Sequence, residues 1–213
     1  MKIISKSFIA AMTLLCGISS SVNAAFINFN DYTTSDFANQ AISGSASPSS
    51  DGSTLTLTGN LWVSISELFA ITSDSTLYFT MEASGNEAEW YGIGFDDDNS
   101  VTASSLFQLG GNEGTSANQI STYNFGDGAV DFAIDVGTFF TGNFGKLVFI
   151  LDSDRTSGAS LSFTNVEVCN GVTDCESLAV TAPSAPVSAN APAALGMFAM
   201  SLFFLARKKR FKA

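Results

Sequence analysis

Between residues 26 and 176 the chain is a succession of short β-favouring runs broken by Gly, Asn, Asp and Ser clusters, and this punctuation constrains the fold more than anything else. Strict apolar/polar alternation runs through Thr54-Leu55-Thr56-Leu57-Thr58, Leu77-Tyr78-Phe79-Thr80-Met81 and Val130-Asp131-Phe132-Ala133-Ile134-Asp135-Val136. Side chains alternate faces along a strand, so each of these segments buries one face and wets the other. Lys146-Leu147-Val148-Phe149-Ile150-Leu151 is apolar almost throughout and reads as a central strand. Leu161-Ser162-Phe163 and Val166-Glu167-Val168 are out of phase across Thr164-Asn165, and a bulge there restores the phase. Further strands are expected at 62–65, 90–95, 107–109 and 120–125. About nine or ten strands in roughly 150 residues fit an all-β jelly-roll sandwich of two antiparallel sheets better than an immunoglobulin domain or a propeller. The 19 phenylalanines serve mostly as core filler.

Composition removes several chemistries. The chain has no histidine, which excludes imidazole-based nucleophile systems, His-ligated zinc and histidine pH switching. Seven of the nine basic residues lie at the extreme ends, and all 20 acids fall between Asp31 and Glu176. The body therefore opposes only Lys146 and Arg155 to its acids, a net charge of −18, which repels phosphate backbones and argues against nucleic acid as a partner.

Both ends read as addresses. Met1-Lys2-Ile3-Ile4-Ser5-Lys6, an apolar run over 8–18 and the small-residue stretch ending Asn23-Ala24-Ala25 make a secretory signal peptide over residues 1–24. A lipoprotein reading through Cys16 is opposed by the large Leu15 before it. The sandwich is expected over 25–178, followed by a Pro/Ala/Ser linker with a sorting-motif region over 179–194. Residues 195–213 form an apolar segment and the basic cluster Arg207, Lys208, Lys209, Arg210. Counted from Val187, the uncharged run to Ala206 spans 20 residues, about 30 Å as a helix, enough to cross the inner membrane with the basic cluster on the cytoplasmic side.

The tail resembles the PEP-CTERM type of bacterial envelope sorting signal, with Ala191-Pro192-Ala193 standing where that family has its Pro-Glu-Pro motif. The resemblance implies an envelope sorting and processing protease as partner; a permanent single-pass anchor is the alternative. Either way an exported protein of the cell envelope or extracellular space is expected.

A second resemblance rests on segments in matching order: Leu55-Thr56-Leu57-Thr58-Gly59-Asn60-Leu61-Trp62, Gly92-Ile93-Gly94-Phe95-Asp96-Asp97-Asp98, Phe107-Gln108-Leu109, Asp135-Val136-Gly137-Thr138-Phe139-Phe140-Thr141-Gly142, Leu147-Val148-Phe149-Ile150-Leu151-Asp152-Ser153-Asp154 and Ser162-Phe163-Thr164-Asn165-Val166-Glu167-Val168. Together these are similar to a β-sandwich module of secreted bacterial proteins that is taken to bind carbohydrate. The resemblance implies an extracellular polysaccharide as partner and no catalysis.

Sugar binding needs flat aromatic surface against pyranose faces and polar groups to read hydroxyls. The candidate platforms are Trp62, Trp90, Tyr91 and Tyr123, with Asn60, Gln108 and Asn112 as polar neighbours; the competing role for each ring is core filler. Trp90 and Tyr91 are adjacent and must point to opposite faces. Asp96 and Asp98 follow one strand and Asp152 and Asp154 another, a pattern that can converge on structural calcium or remain as solvated turn acids. Glu82, Glu87 and Glu89 offer a local set near Trp90 for a small glycoside hydrolase or lyase, which would need two carboxyls about 5–10 Å apart across a cleft. A structural or adhesive matrix protein without sugar specificity is the other alternative. Cys169 and Cys175 form the one pair left after signal removal and are expected to close a small structural disulfide.

Overall fold

The computed structural model describes residues 26 to 171, which form eleven strands, three short 3-10 turns and no α-helix. The strands are β1 (Ser35–Ala41), β2 (Ser45–Pro48), β3 (Thr54–Thr58), β4 (Leu61–Ile71), β5 (Ser75–Gly85), β6 (Trp90–Asp96), β7 (Leu106–Gly110), β8 (Asn118–Tyr123), β9 (Val130–Ile134), β10 (Gly142–Asp152) and β11 (Ala159–Asn170). They form a six-stranded sheet ordered β1-β4-β10-β6-β7-β8 and a five-stranded sheet ordered β2-β3-β11-β5-β9. The protein is thus the all-β jelly-roll sandwich that the sequence implies. One pair departs from the antiparallel expectation: β8 runs parallel to β7, because the connection over 111–117 crosses back along the sheet before β8 begins.

The alternating runs behave as their chemistry requires. In β3, Leu55 and Leu57 are buried and the threonines half-buried. β10 is central, flanked by β4 and β6. The phase break in β11 is a bulge between Thr164 and Glu167, with Asn165 in the left-handed region at φ 53°. β9 ends at Ile134, earlier than the pattern suggests, because Val136 opens a 3-10 turn.

Phenylalanines fill the space between the sheets. Phe149 of the six-stranded sheet meets Phe163 of the five-stranded sheet at a ring-centroid distance of 5.1 Å, and Phe79 stacks on Phe132 at 5.0 Å. Such pairs add about 0.5–1.5 kcal/mol each beyond their buried area.

The six-stranded sheet carries a second apolar layer on its far side. Along β10, Leu147, Phe149 and Leu151 belong to the main core, whereas Val148 and Ile150 join a separate buried cluster with Phe37, Trp62, Trp90, Leu106 and Ala117. Among the described residues the five-stranded sheet has no such cover: its outer face is an array of hydroxyls. Cross-strand rows read Ser45, Thr58, Ser160, Ser84, then Ser47, Thr56, Ser162, Glu82, then Thr54, Thr164, Thr80, Asp131.

Candidate functional site

The covered face of the six-stranded sheet collects more of the sugar-binding candidates than any other surface. Trp62 on β4 lies opposite Ile150 on β10, which lies opposite Gly92 on β6, which in turn lies opposite Gln108 on β7. Trp90 sits one step along, opposite Asp152. Its indole lies down over Gly92, where a Cβ would come within 2.4 Å of Trp90 Nε1, and Nε1 donates to the carbonyl of Phe107 at 3.4 Å. Trp62 stands edge-on to it, with centroids 4.9 Å apart and an interplanar angle of 83°.

These placements correct the expectation of exposed platforms. Trp62 and Trp90 are 7% and 5% exposed, and Tyr91 and Tyr123 are buried on the inner side of the sheet with rings edge-to-face at 5.9 Å. The two tyrosines serve the backbone: Tyr91 Oη accepts from the Ala88 amide, and Tyr123 Oη accepts from Ala83 and donates to the Gly128 carbonyl. Trp90 and Tyr91 do point to opposite faces, but both faces are covered. Asn60 and Gln108 are also occupied. Asn60 Oδ1 accepts from the Ser153 amide at 3.2 Å, and Gln108 holds the 110–115 loop through the Gly110 and Glu113 carbonyls and the Thr115 amide and hydroxyl. Asn112 is exposed in that loop.

Two buried donors on this face are left over. Trp62 Nε1 and Ser64 Oγ have no hydrogen-bond partner among the described residues, although their residues are 7% and 0% exposed. An unsatisfied buried polar group costs about 1–3 kcal/mol, and these two project from the same face of β4, at alternate positions of one strand.

Beside β4 at the edge of the sheet runs β1. Its pairing with β4 runs Ser35 to Ser64 and Asp36 to Val63, then resumes only at Ala41 with Leu61. Residues 37–40 therefore bulge out opposite Trp62, and Phe37 drops into the cluster fully buried. Ala38 and Asn39 both take φ 57°. Ala38 N–H donates to Asn99 Oδ1 at 3.1 Å, which ties the bulge to the loop after β6, and Ala41 N–H donates to Asp36 Oδ1 at its base. Phe37 and Ser64 are the site residues that sequence reasoning missed. The available signal was Gly92-x-Gly94, a strand with glycine at successive outward positions, which requires bulky groups lying over it.

The acidic pairs do not converge. Asp96 and Asp152 sit at opposite ends of the β6–β10 ladder, about 20 Å apart at ~3.3 Å per residue. Asp96 accepts from the amides of Asp97, Asp98 and Thr102, and Asp98 accepts from that of Ser100, so this pair shapes its own loop. At the other end, burial first and then Asp154, Glu89 and Glu113 push the Asp152 carboxyl up to about 6, with Arg155 opposing. Arg155 pairs with Glu113 at 3.0 Å, both largely exposed. Among the described residues no three His, Cys, Asp or Glu side chains are placed to hold a metal ion.

Glu82 is exposed on the outer face of the five-stranded sheet. Glu87 and Glu89 lie in the link before β6 rather than on a strand, Glu87 exposed and Glu89 2% exposed. They therefore do not share one strand face, and their burial differs sharply. Cys169, next to the last residue of β11, is buried; its expected partner Cys175, Pro192 and the Arg207–Arg210 cluster lie outside the described residues.

No protein-family model and no curated protein sequence matches this chain. Solved structures do. A carbohydrate-binding module of family 29 is 16% identical over 70% of this chain and 88% of its own, with a TM-score of 0.43. The Emp47p carbohydrate recognition domain is 12% identical, covers 72% and 97%, and has a TM-score of 0.44. The second N-terminal cellulose-binding domain of Cellulomonas fimi β-1,4-glucanase C is 12% identical, covers 73% and 99%, and has a TM-score of 0.38.

Proposed function

We propose that this protein is a non-catalytic module that binds extracellular polysaccharide. The observation that carries the reading is the far face of the six-stranded sheet, where two indoles meet edge-to-face beside two buried donors without partners. A sugar ring needs that combination: apolar surface for its C–H face and polar groups for its hydroxyls. The terminal segments support delivery outside the inner membrane, with the tail as tether or sorting signal, and a Cys169–Cys175 disulfide would suit that compartment.

The test is affinity electrophoresis of the full-length chain in a non-glycosidic detergent, through gels containing neutral or acidic polysaccharides, with calcium or chelator. Retardation by particular glycans is expected; loss of retardation on chelation would give the acidic loops a role as calcium ligands. Unchanged migration in every gel would refute the binding reading.

The hydroxyl rows of the five-stranded sheet favour a second reading, a matrix or adhesive protein that associates through that open face. Paired Thr56→Lys and Ser162→Lys changes would abolish association on this reading and leave glycan retardation intact on the first.

A further inference from the structure

We propose that the pocket beneath the β1 bulge is a pyranose-binding site whose ring position Phe37 fills when no sugar is bound. The inference rests on the glycan-binding reading and gives it a location and a closing element.

Phe37 is a poor match for the polar half of the pocket. Its ring completes an apolar cluster with Trp62, Trp90, Leu106, Val148 and Ile150, yet offers nothing to Trp62 Nε1 or Ser64 Oγ. A six-membered sugar ring is similar in size, presents an apolar C–H face to an indole and carries hydroxyls that can accept from both donors. Gly92 and Gly94 carry no side chains, and the Trp90 indole lies over the first and Leu106 over the second, so these groups rather than β6 itself line the ring position.

The cover is built to move. Residues 37–40 have no ladder partners on β4, because β1 leaves the sheet at Asp36 and rejoins it at Ala41. Ala38 and Asn39 hold two consecutive left-handed conformations, and an alanine has no local interaction that favours this region. The bulge is fastened to the opposite side of the pocket through the Ala38 N–H to Asn99 Oδ1 bond, which lies at the exposed surface. Release of that bond frees the tip of the bulge from the loop after β6, and Phe37 swings outward while the Ala41 N–H to Asp36 Oδ1 bond and the flanking pairs hold the base of the bulge in register.

The chain contains only two tryptophans, Trp62 and Trp90, so tryptophan emission excited at roughly 295 nm, beyond tyrosine absorption, reports on this cluster. The experiment takes the full-length chain, the Asn99→Ala variant and a Trp62→Phe variant. Each is run in gels of hydroxyethylcellulose, laminarin and galactomannan, and titrated with hexaoses cut from the polysaccharide that retards it.

The expected result is a shift of tryptophan emission on hexaose binding. Asn99→Ala should bind about threefold to tenfold tighter because the open form is more populated. Trp62→Phe should bind at least about tenfold weaker through loss of the Nε1 donor. Glycan binding that leaves emission unmoved and is unchanged in both variants would overturn the pocket and leave the glycan reading standing. Absence of retardation for the natural chain and for Asn99→Ala alike would overturn both. Asn99 is exposed, so its variant remains informative even if Trp62→Phe loses stability.

Discussion

The two sheets share one core but finish their outer faces in opposite ways. The five-stranded sheet leaves Ser and Thr hydroxyls in half-exposed rows, with Thr54 Oγ1 and Thr164 Oγ1 2.9 Å apart across β3 and β11. The six-stranded sheet buries its outer face under a second apolar cluster closed by the β1 bulge. The contrast teaches that alternation along a strand fixes which residues share a face, while the fate of that face depends on what the connections lay over it. In this molecule the connection spends an unpaired, left-handed segment to cover two tryptophans, and leaves two donors beneath it unsatisfied.

The contrast can be broken most forcefully by placing a charge on each face. Val148→Asp buries a carboxylate in the covered cluster and should destabilise the fold by more than about 4 kcal/mol, whereas Ser162→Asp on the open face should stay within about 1 kcal/mol. Urea unfolding of both variants checks this; equal losses would mean that the two faces are alike. Gly92→Ala comes next. The added Cβ would meet Trp90 Nε1 at 2.4 Å and the Phe107 carbonyl at 2.9 Å, so a loss of about 1–3 kcal/mol is expected together with a change in tryptophan emission.

Asp152, at the edge of the covered face, gives a smaller and pH-dependent signal. Its carboxyl is raised from 3.8 to about 6, so the folded state holds that proton more tightly than the unfolded chain does. The resulting stabilisation is fully present below about pH 4 and is lost as pH rises through about 6, some 1–2 kcal/mol after solvent screening. Asp152→Asn should flatten the profile over that window in thermal unfolding measured from pH 3.5 to 7.5. The smallest effect belongs to the open face. A double-mutant cycle of Thr54→Ala and Thr164→Ala should return a coupling of about 0.2–1 kcal/mol, and a larger value would make the hydroxyl rows a structural network rather than a wetted surface.

Much of this architecture was legible in the sequence where alternation was strong. Thr54–Thr58 is a strand with the bounds its pattern gives, the apolar run at 146–151 is central, and the phase break in the last strand is a bulge. β1 and β2 were not legible. Ser-Asp-Phe-Ala-Asn-Gln-Ala and Ser-Ala-Ser-Pro carry too few apolar residues to show a period, and they are strands because β4 and β3 offer them open edges. The site was legible in part for the same reason. The period placed Trp90 and Tyr91 on opposite faces and Tyr91 in the core between the sheets, but burial of Trp90 goes with the outer cluster that Phe37 joins, through a register break that no local pattern encodes.

The order of the strands has a further consequence, in time rather than in space. β10 lies between β4 and β6, and β11 between β3 and β5, so the last two strands among the described residues occupy the interior of both sheets. A chain emerging from the ribosome holds two incomplete sheets until residue 170 is out, and pairings over such long sequence separations form slowly. Folding is thereby deferred until synthesis of the body is finished. A passenger that must be threaded through a translocation channel unfolded, as the N-terminal segment proposes for this one, needs that same delay.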